Sequence, residues 1–329
     1  MPISQNLLGA VVGQSPAAAW RSIIDHVWTE FSSPLPPTAA DSEVVNRDRG
    51  QTELDNVLSG SAWDLWQHFD AAVPKASQGI LDFWSSNDGG RAVLILDGLS
   101  MREVPWVMSQ ALNRGYTVHR AEVKAAELPA ETTPFAKSLG FSQRSSLENN
   151  GAGTAHKLKD AFTLSSSLPW KDCVELVGSD KAVVFWHHWP DERLHELAGP
   201  GQGVRKLAKE TQALLVSDDF WTLVERLATG RRLVITSDHG YAACGEFTDL
   251  DKDQSAYMKS VFKSGRSAPA NTSEAPWVPP IDLKLTNSHG THQYVLGRRK
   301  WKSSAGYPTL QHGGLSLLEV FVPFFEMSK

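Results

Sequence analysis

Four short apolar runs constrain the fold of this chain more than any other feature of its sequence. They span residues 92–96, 182–186, 233–236 and 320–325. Continuous runs of four to six apolar residues are typical of strands buried on both faces of a mostly parallel sheet. The intervening stretches 101–114 and 203–228 have the apolar spacing of crossover helices. This alternation predicts an α/β sandwich.

The first ninety residues follow a different pattern. Apolar side chains recur at helical spacing over residues 17–32 and again over 54–69. We therefore predict a helical N-terminal region over residues 1–90, followed by an α/β domain over 91–329. Segment 252–282 is rich in Ser, Ala, Pro and Lys, which predicts a long loop rather than a regular element.

Composition and charge limit the class of protein. The presence of only two cysteines argues against a disulfide framework. No apolar run approaches the roughly 20 residues that span a bilayer, and no basic segment precedes the first apolar stretch. These features predict a cytoplasmic protein that does not associate with membranes. The formal net charge of −5 provides no general attraction to nucleic acid, so any such contact has to be local.

Polar side chains that follow buried strands are candidates for a functional site, because ligands bind beyond the carboxyl ends of parallel strands. Six metal-capable side chains stand near such positions or before the glycine pair of the last apolar segment: Asp97, Asp191, His195, Asp238, His239 and His312. Three carboxylates and three imidazoles suit zinc-type ions. Asp97 could instead cap the next helix, and Asp191 with His195 could form a surface contact.

Charge balance supports the interpretation as a metal site. Three aspartates and one alkoxide would balance two divalent cations, whereas three carboxylates without metal would repel one another. We therefore expect the site to be poorly formed without metal. His187, His188, His289 and His292 are expected to support a site or to lie at the surface, since the ligand set is complete without them.

The order Asp, Thr, Asp-x-x-x-His, Asp-His and His resembles that of the alkaline phosphatase superfamily. The segments LILDGLSMREVPW and HGGLSLLEVFVPF are similar to those of a PglZ domain. The resemblance covers about residues 90–329. It implies an alkaline-phosphatase-like three-layer sandwich with a mostly parallel central sheet, and it implies a metal-dependent phosphoester hydrolase.

The resemblance also implies a nucleophile and a division of the ligands. In the family the nucleophile follows Pro-x-x at a helix start, a pattern that Pro129 and Thr132 supply here. Thr133 and Ser100 remain alternatives. One ion, Zn2+ or Mn2+, would be held by Asp97, Thr132, Asp238 and His239, and the second by Asp191, His195 and His312.

The resemblance implies phosphodiester cleavage of nucleotides or of short or cyclic oligonucleotides. It also implies a role in bacterial anti-phage defence or signalling, with an ATPase or another defence-system protein as partner. The alternatives are a phosphomonoesterase, or a degenerate or partner-activated module that docks in a defence complex. The basic segment LGRRKWK is a candidate to hold phosphates and stack a base, through Arg298, Arg299, Trp301 and Lys302. A solvated charged loop is equally compatible with that segment.

Overall fold

A computed structural model of the protein describes residues 3–36, 38–86, 89–148, 155–199, 203–244, 250–270, 275–304 and 306–329. Its strands are β1 (Arg91–Leu96), β2 (Thr117–Ala125), β3 (Phe162–Ser166), β4 (Ala182–His187), β5 (Arg232–Thr236), β6 (Ala242–Ala243), β7 (Ser267–Pro269), β8 (Asp282–Asn287), β9 (Gly290–Val295), β10 (Leu310–Gln311) and β11 (Phe321–Ser328). The strand runs predicted from the sequence are confirmed.

Six of these strands form the central sheet, in the order β2-β11-β5-β1-β4-β3. Strand β1 pairs in parallel with β4 and β5, and β3 pairs in parallel with β4. Strand β11 runs antiparallel to both β5 and β2. In register, Leu96 lies opposite His187, and Ile95 lies opposite Thr236. The carboxyl ends of β1, β4 and β5 therefore meet at one edge of a mostly parallel sheet, as predicted.

The helices precede, connect and flank these strands. They are α1 (Gln5–Gly13), α2 (Pro16–Ser32), α3 (Ala40–Gly60), α4 (Phe69–Ala72), α5 (Ala76–Ser86), α6 (Val104–Asn113), α7 (Thr132–Ser138), α8 (Trp170–Leu176), α9 (Asp191–Glu196), α10 (Gly203–Leu215), α11 (Asp218–Ala228), α12 (Lys252–Phe262) and α13 (Leu317–Val320). Short 3-10 helices cover Trp63–His68, Met101–Glu103 and Arg144–Leu147. In the described part of the chain, no helix is both long and apolar enough to cross a lipid bilayer.

The N-terminal region is helical, as predicted, and it packs against the sheet domain. Trp20 of α2 is fully buried, and its indole Nε1 donates to the carbonyl oxygen of Leu65 over 3.0 Å. The Trp20 ring meets Phe69 edge-on at 4.9 Å and Phe321 of β11 at 6.2 Å. One hydrophobic core therefore contains side chains from both parts of the chain. The division at residue 90 stays a prediction.

Two predictions about local structure are wrong. Segment 203–228 forms two helices, because the Ser217 side chain accepts from the amide of Phe220 and starts α11. Segment 252–282 is not one long loop: it contains α12, β7 and the start of β8, while residues 271–274 lie outside the described residues. A capping box between Asp251 and Gln254 starts α12, which buries Met258 against the second sheet. That sheet consists of β7, β9 and β8.

Candidate metal centre

The site lies at the carboxyl ends of β1, β4 and β5, where polar side chains follow the strands. Asp97 directly follows β1, and Asp238 and His239 follow β5. Gly98 has a φ of 76°, and a Cβ atom there would lie 3.3 Å from the Cβ of Asp191. The backbone at Gly98 can therefore turn sharply and pass close to α9 only because it lacks a side chain.

The first group of side chains lies around Asp97, which is fully buried. His239 Nε2 is 3.4 Å from Asp97 Oδ1 and 3.5 Å from Asp238 Oδ2. The Thr132 hydroxyl, on the first residue of α7, donates to Asp97 Oδ1 at 3.5 Å. Asp238 Oδ1 accepts from the Gly98 amide at 3.1 Å. The proposed nucleophile and three of the predicted ligands are thus brought together.

The second group lies around Asp191. His195 Nε2 is 3.3 Å from Asp191 Oδ2, because residues four apart share one face of α9. His312, which follows β10, places Nε2 at 3.5 Å from Asp191 Oδ1 and 3.4 Å from His195 Nε2. One ligand atom from each of these three residues lies within 4.8 Å of the others. The same spacing holds for Asp97, Asp191 and His239, so Asp191 joins the two groups.

The imidazoles are oriented by their backbone contacts. His239 Nδ1 lies 3.0 Å from the carbonyl oxygen of Gly240, and His312 Nδ1 lies 3.2 Å from that of Ala130. The two rings stack with centroids 4.0 Å apart. An Nδ1–H that donates to a carbonyl leaves the Nε2 lone pair pointing at the carboxylates, which is the arrangement of metal-ligating histidines.

Orphaned polar atoms test whether a cation fits. Asp191 Oδ1, Asp238 Oδ2 and His239 Nε2 are buried and lack a hydrogen-bond partner. Buried polar atoms of this kind are costly unless a partner or an ion satisfies them. All three face the clusters described above, and their donor chemistry suits a zinc-type ion. The residues therefore fit divalent metal.

The pKa values in the cluster reflect the same need for positive charge. Burial raises the pKa of Asp238 to about 7, and the neighbouring Asp97 carboxylate adds to the effect. Burial disfavours a charged His239, but attraction by Asp238 and Asp97 outweighs it and raises the pKa of His239 well above its usual range. Burial also opposes charge on Asp191, yet the hydrogen bond from His195 lowers the pKa of Asp191. These pKa shifts show that the carboxylates of the cluster favour positive charge nearby, which either protons or metal cations can supply.

Arg144 is a site residue that the sequence did not reveal. Its Nη1 donates to Asp97 Oδ2, and its side chain is 25% exposed. Arg144 stands on a short 3-10 helix and follows no apolar run, so its place in the sequence does not indicate a role at the ends of the strands. From the sequence we expect the site to be poorly formed without metal, because its carboxylates repel one another. The positive charge of Arg144 offsets part of that repulsion.

The alternative nucleophiles have different surroundings. Ser100, rather than Asp97, caps the turn Met101–Glu103, and its hydroxyl accepts from Arg102 Nη1 at 2.9 Å. Thr133 is exposed on the same turn as Thr132. Thr132 combines a contact to Asp97 with partial exposure, which a nucleophile requires.

The basic segment does not form the predicted substrate contacts at two positions. Arg298 is fully buried and pairs with Asp48 and Asp55 of α3, at 2.9 and 2.6 Å. Trp301 is 3% exposed, and its Nε1 donates to a backbone carbonyl at 2.9 Å, so its ring is not available to stack on a base. Lys302 is exposed, and Arg299 is half-buried.

Three of the four other histidines considered in the sequence, His187, His188 and His289, make contacts outside the two ligand groups, whereas His292 Nδ1 is buried without a hydrogen-bond partner. His187 Nε2 lies 2.9 Å from the carbonyl oxygen of Leu168, and burial lowers the pKa of His187 to about 4. His188 lies 3.1 Å from Glu192, and His289 Nε2 lies 3.3 Å from Glu127. These contacts are made to residues other than the six candidate ligands, so a supporting role for these histidines stays a prediction.

A buried charge network holds the loop that carries His312. Glu319 accepts from the Gly314 amide at 2.9 Å and from the Ser316 hydroxyl at 2.6 Å, and it pairs with Arg266. The amide of Leu317 donates to Asp55 of α3 at 2.8 Å. The loop that carries His312 is therefore anchored both within the sheet domain and to the N-terminal helices.

Two solved structures of murine ectonucleotide pyrophosphatase/phosphodiesterase 5 are similar to this chain. An inactive variant in complex with AMP is 12% identical, with a TM-score of 0.47, and the match covers 73% of this chain and 88% of that chain. A second structure is 11% identical, with a TM-score of 0.44 and the same coverage. No protein-family model and no curated protein sequence matches the chain.

Proposed function

We propose that this protein is a two-metal phosphodiesterase of the alkaline phosphatase superfamily, of the PglZ type, with Thr132 as its nucleophile. The observation that carries the proposal is the convergence of two carboxylate–imidazole groups, joined by Asp191, beside a threonine hydroxyl. Such a pair of groups suits in-line displacement at phosphorus. Nucleotides and short or cyclic oligonucleotides are the proposed substrates.

Asp97, Asp238 and His239, with the Thr132 oxygen, would hold one divalent ion, and Asp191, His195 and His312 the other. When bound, two such ions supply positive charge for the attacking and leaving oxygens. Zn2+ is the proposed metal, with Mn2+ as the alternative, because nitrogen and oxygen donors of this kind suit both.

The residues of this chain perform the remaining steps. The Thr132 hydroxyl already donates to Asp97 Oδ1, so the carboxylate orients it and can accept its proton. Attack forms a Thr132 Oγ1–phosphorus bond and breaks the bond to the leaving alkoxide, which takes up the proton that Thr132 lost. Water then attacks the phosphorus, the Thr132 Oγ1–phosphorus bond breaks, and the phosphate monoester is released while a proton of the water restores the Thr132 hydroxyl.

Paired chromogenic substrates test the reaction class. Purified protein with Zn2+ or Mn2+ should cleave a phosphodiester faster than the matching monoester. Thr132→Ala should lower turnover about a thousandfold or more, because covalent catalysis is lost. Thr133→Ala, at the exposed neighbouring hydroxyl, is the matched control. Loss of activity in Thr133→Ala alone would show that Thr133, and not Thr132, is the nucleophile. A faster reaction with the monoester would favour a phosphomonoesterase.

The proposed preference for short substrates follows from charge. A net charge of −5 offers no long-range attraction to a polyanion, so affinity has to arise at the site. Rates on a short oligonucleotide should exceed those on long duplex DNA and change little between two salt concentrations. A steep salt dependence on long DNA would contradict this.

The proposed setting, anti-phage defence or signalling beside an ATPase, rests on the PglZ resemblance, and co-purification with such an ATPase tests it.

A further inference from the structure

Arg144 and Thr132 contact the two oxygens of one carboxylate. The guanidinium of Arg144 donates to Asp97 Oδ2, while the hydroxyl of Thr132 donates to Oδ1. His239 Nε2 also lies 3.4 Å from Oδ1. Asp97 therefore joins an arginine, the proposed nucleophile and a candidate metal-ligating imidazole.

An arginine and a divalent cation compete for such a carboxylate. Asp97, Asp191 and His239 present ligand atoms within 4.8 Å of one another, so an ion held there would lie close to the guanidinium. Arginine keeps its charge at any pH that a protein experiences, and like charges repel strongly where water is largely excluded. Asp97 is fully buried, whereas the Arg144 side chain is 25% exposed. Of the two cations, the arginine is thus the one with room to move.

We propose that Arg144 is an exchangeable cation: it neutralises Asp97 while no metal is bound, and after metal takes Asp97 it binds the phosphate group that Thr132 attacks. The second half rests on the proposed function. A planar guanidinium donates two parallel hydrogen bonds to phosphate oxygens, so the released group suits the substrate better than a lysine would.

Two binding measurements test the exchange without relying on turnover. The first is the affinity of metal-free protein for Zn2+, measured by competition with a chromophoric chelator. The second is the affinity of the zinc-loaded protein for inorganic phosphate, measured by calorimetry. The variants are Arg144→Gln, which removes the charge, and Arg144→Lys, which keeps it.

Arg120→Gln is the matched control. Arg120 is 49% exposed and pairs with Glu326, which lies opposite Val234 in the middle of β5, away from the carboxyl edge. Circular dichroism of each variant confirms that it is folded.

Arg144→Gln should bind Zn2+ about tenfold more tightly and phosphate about tenfold more weakly, since one charge-assisted interaction is removed in each case. Arg144→Lys should have the same affinity for Zn2+ as the wild type. Its affinity for phosphate should lie between those of the wild type and Arg144→Gln. Unchanged Zn2+ affinity, or unchanged phosphate affinity, in Arg144→Gln would overturn the proposal. Both shifts in a protein that hydrolyses no phosphoester would support the exchange and refute the proposed activity.

Discussion

Replacing Glu127 by glutamine should make folding stability less dependent on pH. Glu127 is buried just before the segment that leads to Thr132, and it accepts a hydrogen bond from the Ser77 hydroxyl. His289, in the turn between β8 and β9, places its Nε2 3.3 Å from Glu127 Oε2. Burial by itself would raise the pKa of Glu127, but the contacts with His289 and Ser77 and the charge of Lys75 outweigh it and lower that pKa to about 2.

The size of the effect follows from linkage. The ordinary value is 4.5, so a folded-state pKa of about 2 corresponds to about 3 kcal/mol of folding free energy at neutral pH. Because the folded pKa is depressed, this stability is present above 4.5 and is lost as the pH falls toward 2. The difference in unfolding free energy between the wild type and Glu127→Gln should therefore shrink by about 1 kcal/mol between pH 6 and pH 3.5.

Urea unfolding followed by tryptophan fluorescence at several pH values measures that difference. Glu175→Gln, at an exposed position of α8, controls for the loss of one negative charge. A gap between the wild type and Glu127→Gln that stays constant, or widens, as the pH falls would refute the reasoning. It would mean that the contacts of Glu127 do not favour its ionised form.

Two further predictions concern the scaffold of the site. Gly240→Ala should abolish zinc binding in calorimetry and lower the unfolding free energy by about 2 kcal/mol or more, since the added Cβ would lie 2.2 Å from a backbone oxygen. The control Gly9→Ala, whose added Cβ meets nothing within 4 Å, should leave both quantities unchanged. Asp55→Asn should cost about 3 kcal/mol in urea unfolding, because it removes one of the buried counter-charges of Arg298. A neutral Asp55→Asn would show that Asp48 alone satisfies that arginine.

Features encoded by local pattern could be predicted from the sequence. Strands β1, β4 and β5 are buried on both faces, and such burial leaves a continuous apolar run. Asp97 and Asp238 are predictable because they follow those runs at the edge where ligands bind. Helix α12 differs from the predicted loop because its capping residues and the apolar spacing that buries Met258 outweigh the Ser, Ala, Pro and Lys content of the segment.

Features that depend on long-range pairing could not be predicted in this way. Arg298 lies in a basic run that suggests a solvated surface, but its partners Asp48 and Asp55 precede it by 250 and 243 residues. Arg144 reaches Asp97 across 47 residues. Ion pairs between distant residues leave no repeating pattern of apolar residues in the sequence. A single sequence therefore shows which residues are charged but not which of them pair.

The pairing of α3 with Arg298 and Leu317 has a consequence for the order of events during synthesis. Helix α3 leaves the ribosome long before either partner exists, and an unpaired carboxylate does not remain in a dry interior. Until residue 298 has been made, Asp55 has to stay hydrated, which keeps the C-terminal half of α3 from settling into its final place. The loop bearing His312 can dock on Asp55 only after residue 317 follows. A growing chain therefore completes the candidate metal ligands and their support almost together, and shorter nascent chains lack the contact that anchors the His312 loop to α3.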